Sequence, residues 1–320
     1  MKISLITPAG KQLKNGNRTT AMRWARLLRR VGHQVHVTND YDGRAVDLLI
    51  ALHAWHSAKA VQRYRCQAPK GPLVVGLGGT DVNTFLKSVR QITLNAMKAA
   101  DALICLHDLI SEALPPALSA RLNVVRQSAT PLSATRIPSK RHFDICVIGH
   151  LRDEKDPFRA ALAARQMPNN SSLRVIHLGK ATTAKFANRA AKEMAQNFRY
   201  YWRGEVPGWR VRREFAKTHA MVISSIQEGG ANVVSEALVA GVPIIASHIA
   251  GNIGLLGRDY PGYYAVGDTG ALAKLLHQAE TEPAFLNTLA SQGRRLATLF
   301  SPVREQAALE CIVNSVTQPR

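Results

Sequence analysis

Two carboxylates, Glu228 and Glu236, stand eight positions apart in the stretch EGGANVVSEALVAGVP (residues 228–243). The apolar run HAMVISS precedes them, a glycine-rich turn separates them, and a helical run closed by Gly241 follows. The first acid therefore belongs to a loop at a strand end, and the second lies a turn or so inside the next helix. Backbone N–H groups where that helix starts, over Gly229, Gly230, Ala231, Asn232 and Val233, can receive an anion. A carboxylate beside phosphate repels it unless the acid is aimed at hydroxyls. Glu236 is therefore expected on ribose hydroxyls and Glu228 on a sugar ring. The ligand that fits has a diphosphate in the middle and hydroxyls at both ends, as a nucleotide sugar does.

Other polar clusters fall at similar places. In VIGHLRDEKDP, His150, Arg152 and Lys155 gather at a strand-to-helix turn and make a candidate diphosphate clamp, with Asp153, Glu154 and Asp156 interleaved. The first strand leads into the long loop PAGKQLKNGNRTT, with Gly10, Gly16, Lys11 and Lys14, then Asn17 and Arg18 before a helix that Thr19 or Thr20 can cap. His53 and His56 end another strand in ALHAWHS, and Thr80 and Asp81 another in GGTDV.

Several chemistries are excluded. The first loop lacks G-x-G-x-x-G, and GLGG (residues 76–79) sits at a later strand, which argues against nicotinamide binding. His53 and Asp81 have no G-x-S-x-G serine elbow beside them. His53 and His56 lack a third metal ligand, so neither a metal nor another cofactor is expected.

These residues need a frame to hold them. ISLIT, HQVHVT, DLLIALH, PLVVGLG, DALICLH and LNVVRQS alternate with helical patterns, which is a βαβ series. PLSATRIPSKRH (residues 131–142) is aperiodic and reads as a linker. The alternation restarts with FDICVIGH, SLRVIHLG, FRYYWRG, HAMVISS, VPIIASH and GYYAVGD. The fold class is α/β, with two facing doubly wound, Rossmann-like domains and a ligand cleft between them. The expected boundaries are 1–135 for the acceptor side and 142–295 for the nucleotide-sugar side, with helices over 296–320 crossing back to the first domain.

The chain has 320 residues, a formal net charge of +20 and 46% hydrophobic residues, so it is globular and favours anionic partners. Its basic residues are spread over many helices, dense only in RVRR (residues 210–213), with no aromatic-rich RNA motif or zinc-finger spacing. Nucleic-acid binding is not expected as its main role. No apolar run approaches the roughly 18 residues of a membrane span, and the N-terminus does not read as a signal peptide. The four scattered cysteines read as thiols of a cytoplasmic protein.

The E-x7-E element from Glu228 to Glu236 and the run from Gly149 to Lys155 resemble the retaining, family 4 nucleotide-sugar glycosyltransferases of the GT-B fold. The resemblance implies Lys155 on the diphosphate, Glu236 on ribose and Glu228 on the donor sugar. That family usually carries Arg after the glycine, where this chain has His150; Arg152 is the candidate substitute. A more specific likeness runs through GNRTTAMRWA, LHAWHSA, GGTD, RQSA, GHLRDEKDP, EGGANVVSEA and IAGNIGLLGRDYPG. Together these resemble the selenosugar synthases of selenoneine biosynthesis (SenB-type enzymes). This implies transfer of N-acetylglucosamine, or glucose, from its UDP donor to selenophosphate, giving a 1-seleno sugar that a partner enzyme couples to hercynine.

Selenophosphate is a small, highly charged anion and calls for a cationic pocket, for which Arg18, Arg23, His53 and His56 are the first-domain candidates. An anionic selenium nucleophile needs no strong base, which agrees with the lack of an obvious one. Lys155, Glu228 and His53 are the expected catalytic residues. The alternative is an ordinary family 4 UDP-sugar transferase with a hydroxyl acceptor, working at an anionic membrane surface.

Overall fold

The computed structural model describes residues 1–8 and 16–318. The chain divides into two compact units. The first comprises Met1–Ser128, Gly229–Asn232 and Phe300–Arg320; the second comprises Ala129–Glu228 and Val233–Leu299.

The first unit is built on six parallel strands, β1 (Lys2–Ile6), β2 (Gln34–Thr38), β3 (Leu48–Leu52), β4 (Leu73–Gly76), β5 (Ala102–Cys105) and β6 (Leu122–Val124). They lie in the order β2-β1-β3-β4-β5-β6. Both faces are covered, as the near-continuous apolar strands require. Ile3, Leu5, Leu48, Ile50 and Leu52 pack with Trp24, Leu27 and Leu28 of helix Gly16–Arg30 and with Leu309, Ile312 and Val313 of helix Pro302–Thr317. Leu49, Ala51, Leu73 and Val75 point the other way, onto Tyr64 and Met97. Alternate strand residues thus feed two separate cores. The C-terminal helix is part of the first unit and completes one face of its sheet.

The second unit repeats the plan with β7 (Phe143–Ile148), β8 (Leu173–Leu178), β9 (Tyr200–Trp202), β10 (Ala220–Ile223), β11 (Ile244–Ser247) and β12 (Tyr263–Tyr264). Their order is β12-β11-β10-β7-β8-β9. The aperiodic segment 131–142 is strapped onto this unit. The Arg136 guanidinium donates to the Phe215 carbonyl at 3.1 Å and the Thr218 carbonyl at 2.5 Å, and Ile137 N–H donates to Ala216 at 2.8 Å.

In each unit the chain winds outward in both directions from one point in the sheet. That point lies between β1 and β3 in the first unit and between β7 and β10 in the second. Loops leaving the carboxyl ends of the two strands at such a reversal diverge and leave a crevice. Among the described residues no helix is long and apolar enough to cross a membrane. All four cysteines are free; Cys105 and Cys146 are buried, Cys66 and Cys311 exposed.

Candidate active site

At the reversal point of the second unit, the loop after β7 carries Lys155 and the loop after β10 carries Glu228. The Lys155 ammonium donates directly to Glu228 Oε1. The two side chains are 19% and 11% exposed, so the ion pair is largely withdrawn from solvent. Ser225 Oγ donates to the same carboxylate oxygen at 2.6 Å and fixes its rotamer. The loops are also tied through their backbones. Ser224 Oγ donates to the carbonyls of Lys155 at 3.1 Å and Asp156 at 2.9 Å, and Ile226 N–H to that of Glu154 at 2.9 Å.

The lysine leaves a single 3-10 turn, Asp153–Lys155, which ends at Asp156 in a left-handed conformation (φ 42°). That unusual backbone is held by the Ser224 hydroxyl and by an ion pair from Asp156 to Arg159 at 2.7 Å. On the third side, helix Ala250–Leu256 approaches with Gly251, where an added Cβ would lie 2.4 Å from the Glu228 carbonyl oxygen. Only glycine permits that approach.

The rest of the expected clamp is looser. Arg152 is exposed and faces Glu154 at 3.8 Å, a contact of little energy. His150 accepts the Lys180 N–H on its Nδ1 at 3.0 Å. Glu236 is half-buried in the second turn of helix Asn232–Val239. Gly229 and Gly230 need to be glycine. A Cβ on Gly229 would stand 2.4 Å from Gly79 Cα, and Gly230 combines φ 108° with a Leu106 side chain 2.7 Å from its absent Cβ. Ala231 is buried, and Asn232 and Val233 are half-buried at the helix start.

In the first unit, three expected residues form one buried constellation. His53 Nδ1 lies 2.8 Å from Asp81 Oδ1, and His53 Nε2 lies 2.7 Å from Thr80 Oγ1. Asp81 was expected to face a ligand, but it is wholly buried. It also accepts the backbone N–H groups of Ala54 at 2.8 Å, Trp55 at 2.9 Å and Gly78 at 2.8 Å. The turns after β3 and β4, with His53 itself at φ 73°, leave those amides without sheet partners, and the carboxylate satisfies them. Asp81 is thus a positioning residue. His53 is 4% exposed and has both nitrogens engaged, so the group it presents outward is the Thr80 hydroxyl. The Asp81 carboxylate also orients the His53 imidazole. His56 is exposed, with its ring centroid 4.3 Å from that of His53. Partial burial, then the neighbouring His53, lower its pKa.

Arg23 is buried rather than open to a ligand. Its Nε pairs with Glu305 at 2.9 Å and its Nη1 donates to Asn232 Oδ1 at 2.9 Å, while Nη2 is buried without a partner. Glu305 also accepts Trp24 Nε1 at 2.9 Å and Ser128 N–H at 2.8 Å. Gly16, Asn17 and Arg18 form the first turn of helix Gly16–Arg30. That helix begins upstream of Thr19 and Thr20, so neither is its cap; the Thr20 hydroxyl instead accepts Gln127 Nε2 at 2.7 Å. Gly10, Lys11 and Lys14 lie outside the described residues. Among the described residues no group of three or more His, Cys, Asp or Glu is placed to hold a metal ion.

Four contributors carried no motif. Ser225 is the last residue of an apolar run, and Gly251 lies in a short helix with no charged group. His107, fully buried after β5, has both ring nitrogens without a partner. Glu305 lies 282 residues from Arg23, beyond any local pattern.

The fold has many solved counterparts. HepE of Anabaena, in complex with UDP and glucose, is 16% identical with a TM-score of 0.77, covering 98% of this chain and 100% of that one. Sucrose-phosphate synthase from Thermosynechococcus elongatus is 16% identical with a TM-score of 0.78, covering 99% and 97%. The pneumococcal O-GlcNAc transferase GtfA, in complex with UDP and GlcNAc, is 15% identical with a TM-score of 0.68, covering 95% of this chain and 61% of that one. These likenesses show the GT-B fold. No curated protein matches the sequence at a significant level. The model of the family described as glycosyl transferases group 1 matches residues 134–296, just over half of the chain. That span contains Lys155, Ser225, Glu228, Glu236 and Gly251, and the chain belongs to the group 1 glycosyl transferases.

Proposed function

We propose that the protein transfers N-acetylglucosamine, or glucose, from its UDP donor to selenophosphate. The Lys155–Glu228 contact supports the donor half most directly. A diphosphate next to an unneutralised carboxylate is unfavourable. A lysine held between the two lets one site accept a sugar hydroxyl on Glu228 and a leaving diphosphate on Lys155. HepE with UDP and glucose, and GtfA with UDP and GlcNAc, support UDP as the nucleotide.

The chain's formal net charge of +20 supports the acceptor half, because it favours a small, highly charged anion over a neutral hydroxyl. In the reaction a selenium lone pair attacks C1, and the C1–O bond to UDP breaks with its electrons leaving on the diphosphate. Water then cleaves the Se–P bond, releasing phosphate and the 1-seleno sugar. A separate enzyme couples that product to hercynine. Lys155 and the N–H groups at the start of helix Asn232–Val239 supply the charge stabilisation, so activity should survive EDTA.

The His53–Asp81 pair favours a second reading, an ordinary UDP-sugar transferase in which an oriented imidazole assists a hydroxyl acceptor. The deciding experiment supplies UDP-GlcNAc or UDP-glucose, with and without selenophosphate, and follows UDP release and the selenol by mass spectrometry. UDP release with hydroxyl acceptors alone would leave the second reading standing. Unchanged UDP affinity in Glu236→Ala would place the donor elsewhere.

A further inference from the structure

The opposite edge of the first sheet carries a separate feature. A cavity of about 470 Å³ opens at the amino-terminal ends of β1 and β2, beside the chain entering β3. Because these strands are parallel, His53 and Thr80 belong to the other edge, about 15 Å away by strand rise. The floor is apolar, from Ile3, Val35 and Val46. The rim is cationic, from Lys2, Arg29 and Arg44, with His36 alongside, and among the described residues no carboxylate lines it.

These cations are held in place. Arg29 Nε and Nη2 both donate to the Val35 carbonyl, at 3.2 and 2.5 Å, which fixes the guanidinium in the cavity lining with Nη1 uncommitted to that carbonyl. The loop bearing Arg44 turns at Gly43 (φ 85°), and the hydroxyl of buried Tyr41 donates to the Arg44 carbonyl at 3.0 Å. Asp42 faces Arg44 Nε at 3.0 Å, but with side chains 66% and 45% exposed that pair is weak and leaves the guanidinium usable. Among the described residues Lys2 makes no ion pair, and Asp47 accepts its backbone N–H at 2.7 Å.

We infer that this cavity is a second ligand site, for a small phosphate monoester with an apolar body. A phosphate monoester carries about −1.5 to −2 charges at neutral pH, which complements three cations better than a carboxylate does. The volume lies within the roughly 300–1,000 Å³ of small-molecule sites, and an apolar floor suits an apolar body better than a bare ion. None of these residues takes part in the transferase reading.

The test uses the full-length protein and 4-methylumbelliferyl phosphate, with binding measured by calorimetry. 4-Methylumbelliferone and inorganic phosphate serve as separate arms. The phosphorylated ring should bind at least tenfold more tightly than either part alone. The double substitution Lys2→Glu with Arg44→Glu should weaken it at least tenfold, with an unchanged melting temperature because both side chains are exposed. Lys155→Met should leave it unchanged. Four results would overturn the inference. These are no binding, wild-type affinity in the double variant, loss of binding in Lys155→Met (the probe then sits in the donor site), or inorganic phosphate binding as tightly as the ester.

Discussion

Removing the ammonium with Lys155→Met strands a charge. Glu228 is left 11% exposed, with the Ser225 hydroxyl still donating to it at 2.6 Å. Breaking a fully buried ion pair by deleting one partner costs about 3–5 kcal/mol. The residual exposure and the surviving hydrogen bond reduce this to about 2 kcal/mol. For a unit of this size that lowers the melting temperature by roughly 4–8 °C. Adding Glu228→Gln removes the stranded charge while keeping an acceptor for Ser225, so the double variant should recover to within about 1 kcal/mol of wild type. Catalysis should not recover. Losing a donor at the departing diphosphate costs about 10²–10³ in kcat. Urea or thermal unfolding of the four proteins in the cycle, with UDP release measured alongside, separates the two effects. Equal destabilisation by Lys155→Met in both backgrounds would mean that the ion pair does not govern stability. Near wild-type kcat in Lys155→Met would remove the lysine from the leaving group.

Two further outcomes are expected. Gly251→Ala places a methyl 2.4 Å from the Glu228 carbonyl oxygen, so it should displace that loop and lower turnover at least tenfold, with a modest fall in melting temperature; wild-type turnover would show that the approach is not needed. Burial holds His107 and His177 at about 4, below the ordinary 6.5. The unfolded chain therefore takes up more protons than the folded one between pH 6.5 and about 4, so stability is full above that window and lost as pH falls through it. Thermal melts from pH 7.5 to 5 should show a decline that is shallower in a His107→Asn, His177→Gln variant, and a flat wild-type profile would contradict it.

Local pattern was enough for the fold class and for the chain segments that bear chemistry. Continuous apolar runs alternating with helical periods can be buried only as parallel strands covered on both faces, so the twelve strands were legible one by one. The residues around Lys155 and Glu228 were legible too, because polar groups following such strands collect at their carboxyl ends. The contact between Lys155 and Glu228 was not legible. They are 73 residues apart, and their meeting depends on β7 and β10 being neighbours in the sheet, a matter of strand order rather than composition. The same holds for Arg23, which read as a candidate for a cationic acceptor pocket until helix Pro302–Thr317 brought Glu305 against it. Asp81 changed role for a related reason: backbone amides freed by the turns after β3 and β4 claim its carboxylate, and a chain read residue by residue does not show which amides lack a sheet partner. The sequence by itself determined the elements and their polar ends. Tertiary structure alone decided which charges are paired and which buried groups keep a donor in reserve, because pairing and desolvation are set by neighbours distant in the chain.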